Sequence, residues 1–167
     1  YYPFNENFTH ILGYVSQANE NDIEANEVIK KNFVPGLKVG KIGLEKSFEK
    51  KLIGTNDIER YEVNAYGRRI SQLEFQKGEK GKNLKLTIDS EIQKLAATLL
   101  KDQAGSINVM DIFTGEIITM ASSPTYDPNK FTHGISKNDW NDINNNPLRP
   151  LINKSLAGLY SPGSTLK

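Results

Sequence analysis

Two serine and lysine pairs in this chain stand three residues apart, Ser47 with Lys50 and Ser164 with Lys167. A serine hydroxyl is a poor nucleophile until a neighbour takes its proton, and a lysine amine can do so when burial or nearby charge lowers its pKa. On a helix, positions i and i+3 share a face, so either pair can bring hydroxyl and amine within hydrogen-bond reach. The spacing alone is cheap: with 11 serines and 17 lysines among 167 residues, about one such pair arises by chance. Setting separates the two. Ser47 and Lys50 lie in "EKSFEKKL", where surrounding glutamates and lysines read as a solvated helix face. Ser164 follows Pro162-Gly163 in "YSPGSTLK", a turn that presents the serine at a helix start. Backbone N–H groups left free there can stabilise an oxyanion. Spacing plus turn still leaves catalysis and coincidence both open.

Other residues with chemical potential read as structural. His10 and His133 are far apart in sequence, with no carboxylate at metal-ligand spacing, and are expected to be surface or packing residues. Asp111 and Glu116 flank a turn and read as turn and edge-strand charges rather than an acid/base pair. Arg68 and Arg69 can clamp a carboxylate, with an inter-domain ion pair as the favoured use. "VPGLKVGKIG" has glycines but not the strand-turn-helix context of a phosphate cradle. With no cysteine, a disulfide framework and a thiolate metal site are excluded. No metal or cofactor is expected. A net charge of +1 gives no electrostatic case for nucleic acid. The sequence shows no apolar run near the roughly 18 residues a membrane helix needs, and no signal-peptide pattern. The chain opens without a methionine on Tyr1-Tyr2-Pro3 and closes in mid-motif, so it is read as a fragment.

The elements that must position these residues follow from periodicity and punctuation. The stretch "YYPFNENFTHILGYVS" is extended in character, with Gly13 permitting a bend. In "NENDIEANEVIKKNFVPG", Asn21 or Asp22 can cap a short, exposed helix that Pro35-Gly36 ends. Leu44, Phe48 and Leu52 form one apolar stripe, which predicts an amphipathic helix over residues 44–53 with a stop at Gly54. "IERYEVNA" and "RRISQLEF" flank Tyr66-Gly67 as two strands around a turn. "QKGEKGKNLK" is a solvated linker by composition, with a domain boundary near Lys82. Alternating Leu84, Leu86 and Ile88 suggest a half-buried strand. A helix follows, with Ser90 and Gln93 at capping-box spacing and an apolar stripe of Ile92, Leu95, Ala96, Leu99 and Leu100. "GSINVMDI" and "EIITMAS" read as a hairpin turned at Gly115. Ser136 and Asp139 can start a last helix that ends before Pro147.

Taken together these segments resemble the class B penicillin-binding proteins, and among them the elongation-specific members. "HILGYVS" is similar to the family's HxxGYVG, and "GKIGLEKSFEKKLIG" to its GxxGLExxYExxLxG. "YEVNAYGRRI" resembles EVNAxGRxI, and "LKLTIDSEIQKLA" resembles the LTIDxxLQ entry to the transpeptidase domain. "TGEIITMASSPTYDPNKF" is similar to TGEILAMxSxPSYDPNxF, and "LINKSLAGLYSPGSTLK" to NRAxxGxYxPGSTxK. The "GIS" and "NNPLRPLINK" stretches favour the elongation type over the septal one. Ser161 stands where the family usually has proline, and Ser16 where it has glycine. The family's SxN and KTG motifs would lie beyond Lys167.

The resemblance implies an α+β fold, with residues 1–83 as an N-terminal pedestal, or dimerisation-type, domain of strands and short helices. Residues 84–167 would be the truncated start of a penicillin-binding transpeptidase domain of the serine β-lactamase-like kind. It implies a peptidoglycan D,D-transpeptidase of cell-wall elongation and rod-shape maintenance, with Ser164 as nucleophile and Lys167 as general base. Glu62, Asn64 and Arg68 match the pedestal motif and are expected to hold the pedestal to the next domain. Implied partners are stem peptides ending in D-Ala-D-Ala, β-lactams, and elongation proteins such as RodA and MreC. The expected location is the periplasmic face of the inner membrane, through an anchor outside this sequence. This length of chain by itself is expected to be inactive. A non-catalytic pedestal module, a septal relative and a β-lactam sensor or hydrolase stand as alternatives.

Overall fold

Among residues 1–101 and 103–161, which the computed structural model describes, short helices alternate with three antiparallel strand pairs in an α+β arrangement. The chain opens on a 3-10 turn, Asn5–Phe8, that continues as helix α1 (Thr9–Leu12). The extended reading of this segment is therefore corrected. Tyr2, Phe8 and Ile11 are buried inside these turns, so their strand-forming character gives way to tertiary packing. Gly13 makes the expected bend at φ +80°. Strand β1 (Val15–Gln17) then pairs with β2 (Lys38–Gly40). Between them lie two helices where one was expected, α2 (Glu20–Ala25) and α3 (Glu27–Lys31). Asn19, not Asn21, caps the first, with Asp22 completing a capping box; Asn26 caps the second. Ile29 is buried, so the segment is not wholly exposed.

The helix expected over residues 44–53 forms as two pieces, α4 (Gly43–Ser47) and α5 (Glu49–Leu52), interrupted at Phe48. Leu44, Phe48 and Leu52 are half-buried, and the buried side chain of the segment is Glu49. Its carboxylate accepts the Gly40 N–H. Burial pushes the Glu49 carboxyl above its ordinary pKa, the Gly40 N–H opposes this, and neighbouring Glu45 and Asp22 add to the rise, with Lys41 opposing. A carboxyl raised in this way binds more protons folded than unfolded between its two pKa values. Its cost to stability is full above the folded value, fades as the pH falls from the folded to the unfolded value, and is gone below that. Glu49→Gln is therefore expected to raise the thermal midpoint of unfolding at neutral pH. That gain should disappear by about pH 4; an equal gain at both pH values would rule out proton linkage.

Strands β3 (Ile58–Val63) and β4 (Arg69–Gln76) make the expected hairpin, bulged at two places and turned at Tyr66-Gly67. The lysine and glycine stretch after it is not a loose linker, as its composition suggested. Gly78 N–H donates to Asp57 Oδ1 (2.7 Å), Glu79 N–H to Thr55 Oγ1 (2.8 Å) and Lys82 N–H to Lys51 O (2.7 Å). The backbone lies along residues 51–57, and a Cβ on Gly81 would stand 1.8 Å from the Leu52 carbonyl oxygen. That glycine serves close approach rather than flexibility.

Leu84, Leu86 and Ile88 are half-buried in alternation, yet the run is not a strand. It skirts the edge of β6 (Ile117–Ser123), where Thr87 Oγ1 donates to Ile117 O (2.6 Å) and Asp89 N–H to Ile118 O (2.9 Å). Helix α6 (Ser90–Leu99) starts on Asp89, whose carboxylate accepts the Glu91 and Ile92 N–H groups. The expected box of Ser90 with Gln93 does not form, because Gln93 is buried and engaged elsewhere. Ala96 and Leu100 pack on Ala121 of β6, while Leu95 and Leu99 stay exposed. Strand β5 (Gly105–Met110) pairs with β6 through a turn in which the Asp111 carboxylate accepts the Phe113 and Thr114 N–H groups. Those bonds hold the Asp111 carboxyl below its usual range. Beyond β6, Tyr126 and Phe131 are buried against Tyr14. Ser136 caps α7 (Lys137–Asn144) as expected, and a short α8 (Lys154–Ala157) follows.

Candidate active site

The approach to "YSPGSTLK" is built on β6. Two small hydroxyls, one on β6 and one on α8 (Lys154–Ala157), fix the start of that helix: Ser122 Oγ accepts the Lys154 N–H (2.9 Å), and Ser155 Oγ donates to Ala121 O (3.1 Å). Asn153 caps α8 by accepting the Ser155 N–H at 3.0 Å, and its amide nitrogen donates to His10 O at 3.0 Å. Burial lowers the Lys154 ammonium pKa, and its Nζ donates to Arg149 O. At the helix end a Cβ on Gly158 would meet the Lys154 carbonyl oxygen and the Tyr160 ring, each at 2.4 Å. Only glycine lets the chain turn that tightly. Ser164 and Lys167 lie outside the described residues.

The other candidates are placed as follows. Glu62, Asn64 and Arg68 are in the β3–β4 hairpin and exposed or half-buried. Glu62 Oε2 accepts the Ser71 hydroxyl, and Asn64 Oδ1 accepts the Tyr66 and Arg68 N–H groups. The Arg69 guanidinium lies 4.3 Å from the centre of the Tyr61 ring. His10 is a packing residue, edge-on to Tyr126, with Nε2 3.4 Å from Pro124 O and a pKa lowered by burial. His133 is exposed. Ser47 and Lys50 are exposed and sit on different short helices. Among the described residues no three His, Cys, Asp or Glu side chains gather as metal ligands. No described helix is long and apolar enough to cross a membrane.

Three residues join the first and last parts of the chain; Asn129 and Asn153 were not singled out from the sequence, and Gln93 was read there only as a capping partner of Ser90. Gln93 Nε2 donates to Asn7 O (2.9 Å) and Met120 O (3.1 Å), and its Oε1 accepts the Met120 N–H (3.0 Å). Asn129 exchanges bonds with Tyr2 at 2.9 and 3.1 Å, and Asn153 reaches His10. Each is an amide that donates and accepts at once, a property composition cannot reveal.

Comparison with known proteins gives this frame its family. Residues 1–86 match the penicillin-binding protein dimerisation domain, and residues 105–167 the penicillin-binding protein transpeptidase domain. The Escherichia coli K12 protein named peptidoglycan D,D-transpeptidase MrdA is 38% identical over all of this chain and 27% of its own length. Its Acinetobacter baumannii namesake is 36% identical over all of this chain and 25% of its own length. The chain thus spans about a quarter of the length of the curated relatives it matches. Among solved structures, Pseudomonas aeruginosa PBP2 in complex with WCK 5153 has a TM-score of 0.80 and 34% identity, covering 99% of this chain and 32% of that one. The complex between PBP2 and MreC from Helicobacter pylori gives 0.80 and 34%, covering 92% of this chain and 28% of that one. With its fold and both of its domain signatures in agreement along one sequence, the chain belongs to the penicillin-binding proteins.

Proposed function

We propose that this chain carries the pedestal and the serine-lysine segment of a peptidoglycan D,D-transpeptidase of cell-wall elongation. The observation that carries the reading is whole-chain identity of 38% with a relative of that name, in a chain whose transpeptidase-domain match runs through Ser164 and Lys167. Lys167 takes the Ser164 hydroxyl proton as Oγ attacks the carbonyl carbon of the penultimate D-alanine. The C–N bond to the terminal D-alanine breaks, and that residue leaves as the amine after receiving the proton. An amine of a neighbouring strand then attacks the ester, forms the cross-linking amide and returns the serine hydroxyl. Residues 1–83 act as pedestal and residues 84–167 begin the catalytic domain, with Glu62, Asn64 and Arg68 joining the two. The enzyme works at the periplasmic face of the inner membrane.

Exposed apolar residues of the hairpin support a partner surface on the pedestal. Ile58, Val63, Ile70, Leu73 and Phe75 are all 49–67% exposed there. By analogy with the Helicobacter pylori complex, the partner is an MreC-type protein; RodA is a second partner by family resemblance alone. The test of the catalytic reading is labelled penicillin on the intact protein. Stoichiometric label that persists on Ser164 is expected; rapid release would identify a hydrolase, and no label would leave the pedestal module as the surviving reading. Residues 1–167 alone are expected to take no label.

A further inference from the structure

We propose that Asn153 is a positioning residue for acylation, tying the pedestal to the segment that leads to the nucleophile. This inference rests on the transpeptidase reading above. Helix α8 has four residues, far too few to hold a direction without tertiary contacts. Two of its anchors, the Lys154 N–H on Ser122 Oγ and the Ser155 hydroxyl on Ala121 O, both tie it to adjacent residues of one strand, β6. The third is Asn153, which spends each end of one amide. Oδ1 caps the helix through the Ser155 N–H, and Nδ2 donates to the carbonyl of His10. A flipped amide would set donor against donor and acceptor against acceptor, so the orientation is fixed by its partners.

The His10 carbonyl belongs to α1, in the part of the chain that matches the dimerisation domain, whereas Asn153 belongs to the part that matches the transpeptidase domain. His10 is itself held, buried at 9% exposure with its ring against Tyr126. The position of α1 is therefore transmitted by one side chain to α8, whose last residue, Ala157, precedes Ser164 by seven positions. Thr9 provides an internal comparison. Its hydroxyl donates to Tyr126 O at 2.9 Å, a buried bond across the same junction that does not touch α8.

Acylation of the intact protein by a fluorescent penicillin separates the tether from ordinary junction stability. Asn153→Asp keeps the capping oxygen but cannot donate to His10 O. It should lower the maximal acylation rate about tenfold, the scale of a modest misplacement of a reacting group. The penicillin concentration at half-maximal rate should stay unchanged. Asn153→Ser, which caps without placing a charge on the His10 carbonyl, should show the same split and covers failure of the aspartate variant to fold. Thr9→Val should lower the thermal midpoint and leave the acylation rate at its native value. Native-rate acylation in both Asn153 variants, or equal slowing by Thr9→Val, would overturn the tether alone. An intact wild-type protein that takes no label overturns the transpeptidase reading itself, and the tether with it.

Discussion

Gln93→Leu is expected to destabilise the protein by about 3–5 kcal/mol, enough to unfold a marginally stable domain. Leucine nearly matches glutamine in volume, so the change removes polarity and little packing. The side chain is 1% exposed and makes three hydrogen bonds, two of them to the N–H and C=O of Met120. Those two groups lie on the edge of β6 facing α6, where a neighbouring strand would otherwise pair with them. One glutamine amide does that work, and its nitrogen also reaches Asn7 O in the first turn of the chain. Substitution orphans three half-buried backbone groups together, each at about 1–2 kcal/mol. Urea unfolding should show a lower midpoint with an unchanged slope. Leu95→Gln, two positions along at 58% exposure, should move the midpoint by no more than about 0.5 kcal/mol equivalent. A loss below about 1 kcal/mol in Gln93→Leu would mean that water replaces the amide.

What the sequence disclosed depends on how local its causes are. The two long hairpins were legible because strand alternation and a glycine turn sit within a few residues of each other, at Gly67 and Gly115. Helix α6 was legible from its stripe, but its cap was displaced by one residue. Asp89 and Ser90 are both good cap formers, and the deciding bonds, from the Glu91 and Ile92 N–H groups, are geometric. Glu49 read as surface charge in "EKSFEKKL", and its burial depends on the Gly40 N–H from another element. The linker failed for a related reason. Lysine and glycine mean flexibility only when nothing lies alongside, whereas Gly81 is pressed against the Leu52 carbonyl. The joining roles of Gln93 and Asn153 were invisible because their partners stand up to 143 positions away in sequence. The roles read for Ser164 and Lys167 rest on residue type and on the ordered segments upstream, and both residues lie outside the described ones.

Ser164→Ala in the intact protein is expected to abolish penicillin labelling, a loss of about 10⁴-fold or more, because no other oxygen at that position can form the ester. Lys167→Ala is expected to behave differently. It removes the proton acceptor and keeps the nucleophile, so acylation should slow by about 10²–10⁴-fold and still reach stoichiometry on long incubation. The contrast assigns the two roles, since a purely structural pair would lose labelling through a fallen thermal midpoint in both variants. The second serine-lysine pair supplies the control within the same chain. Ser47 and Lys50 have identical spacing and are exposed on separate short helices. Ser47→Ala and Lys50→Ala should leave labelling at its native rate. Three residues of spacing are common to both pairs, so a difference in outcome must come from what surrounds them. Ser164 follows in sequence the helix α8, which is tied to β6 through Ser122 and Ser155 and to α1 through the amide of Asn153.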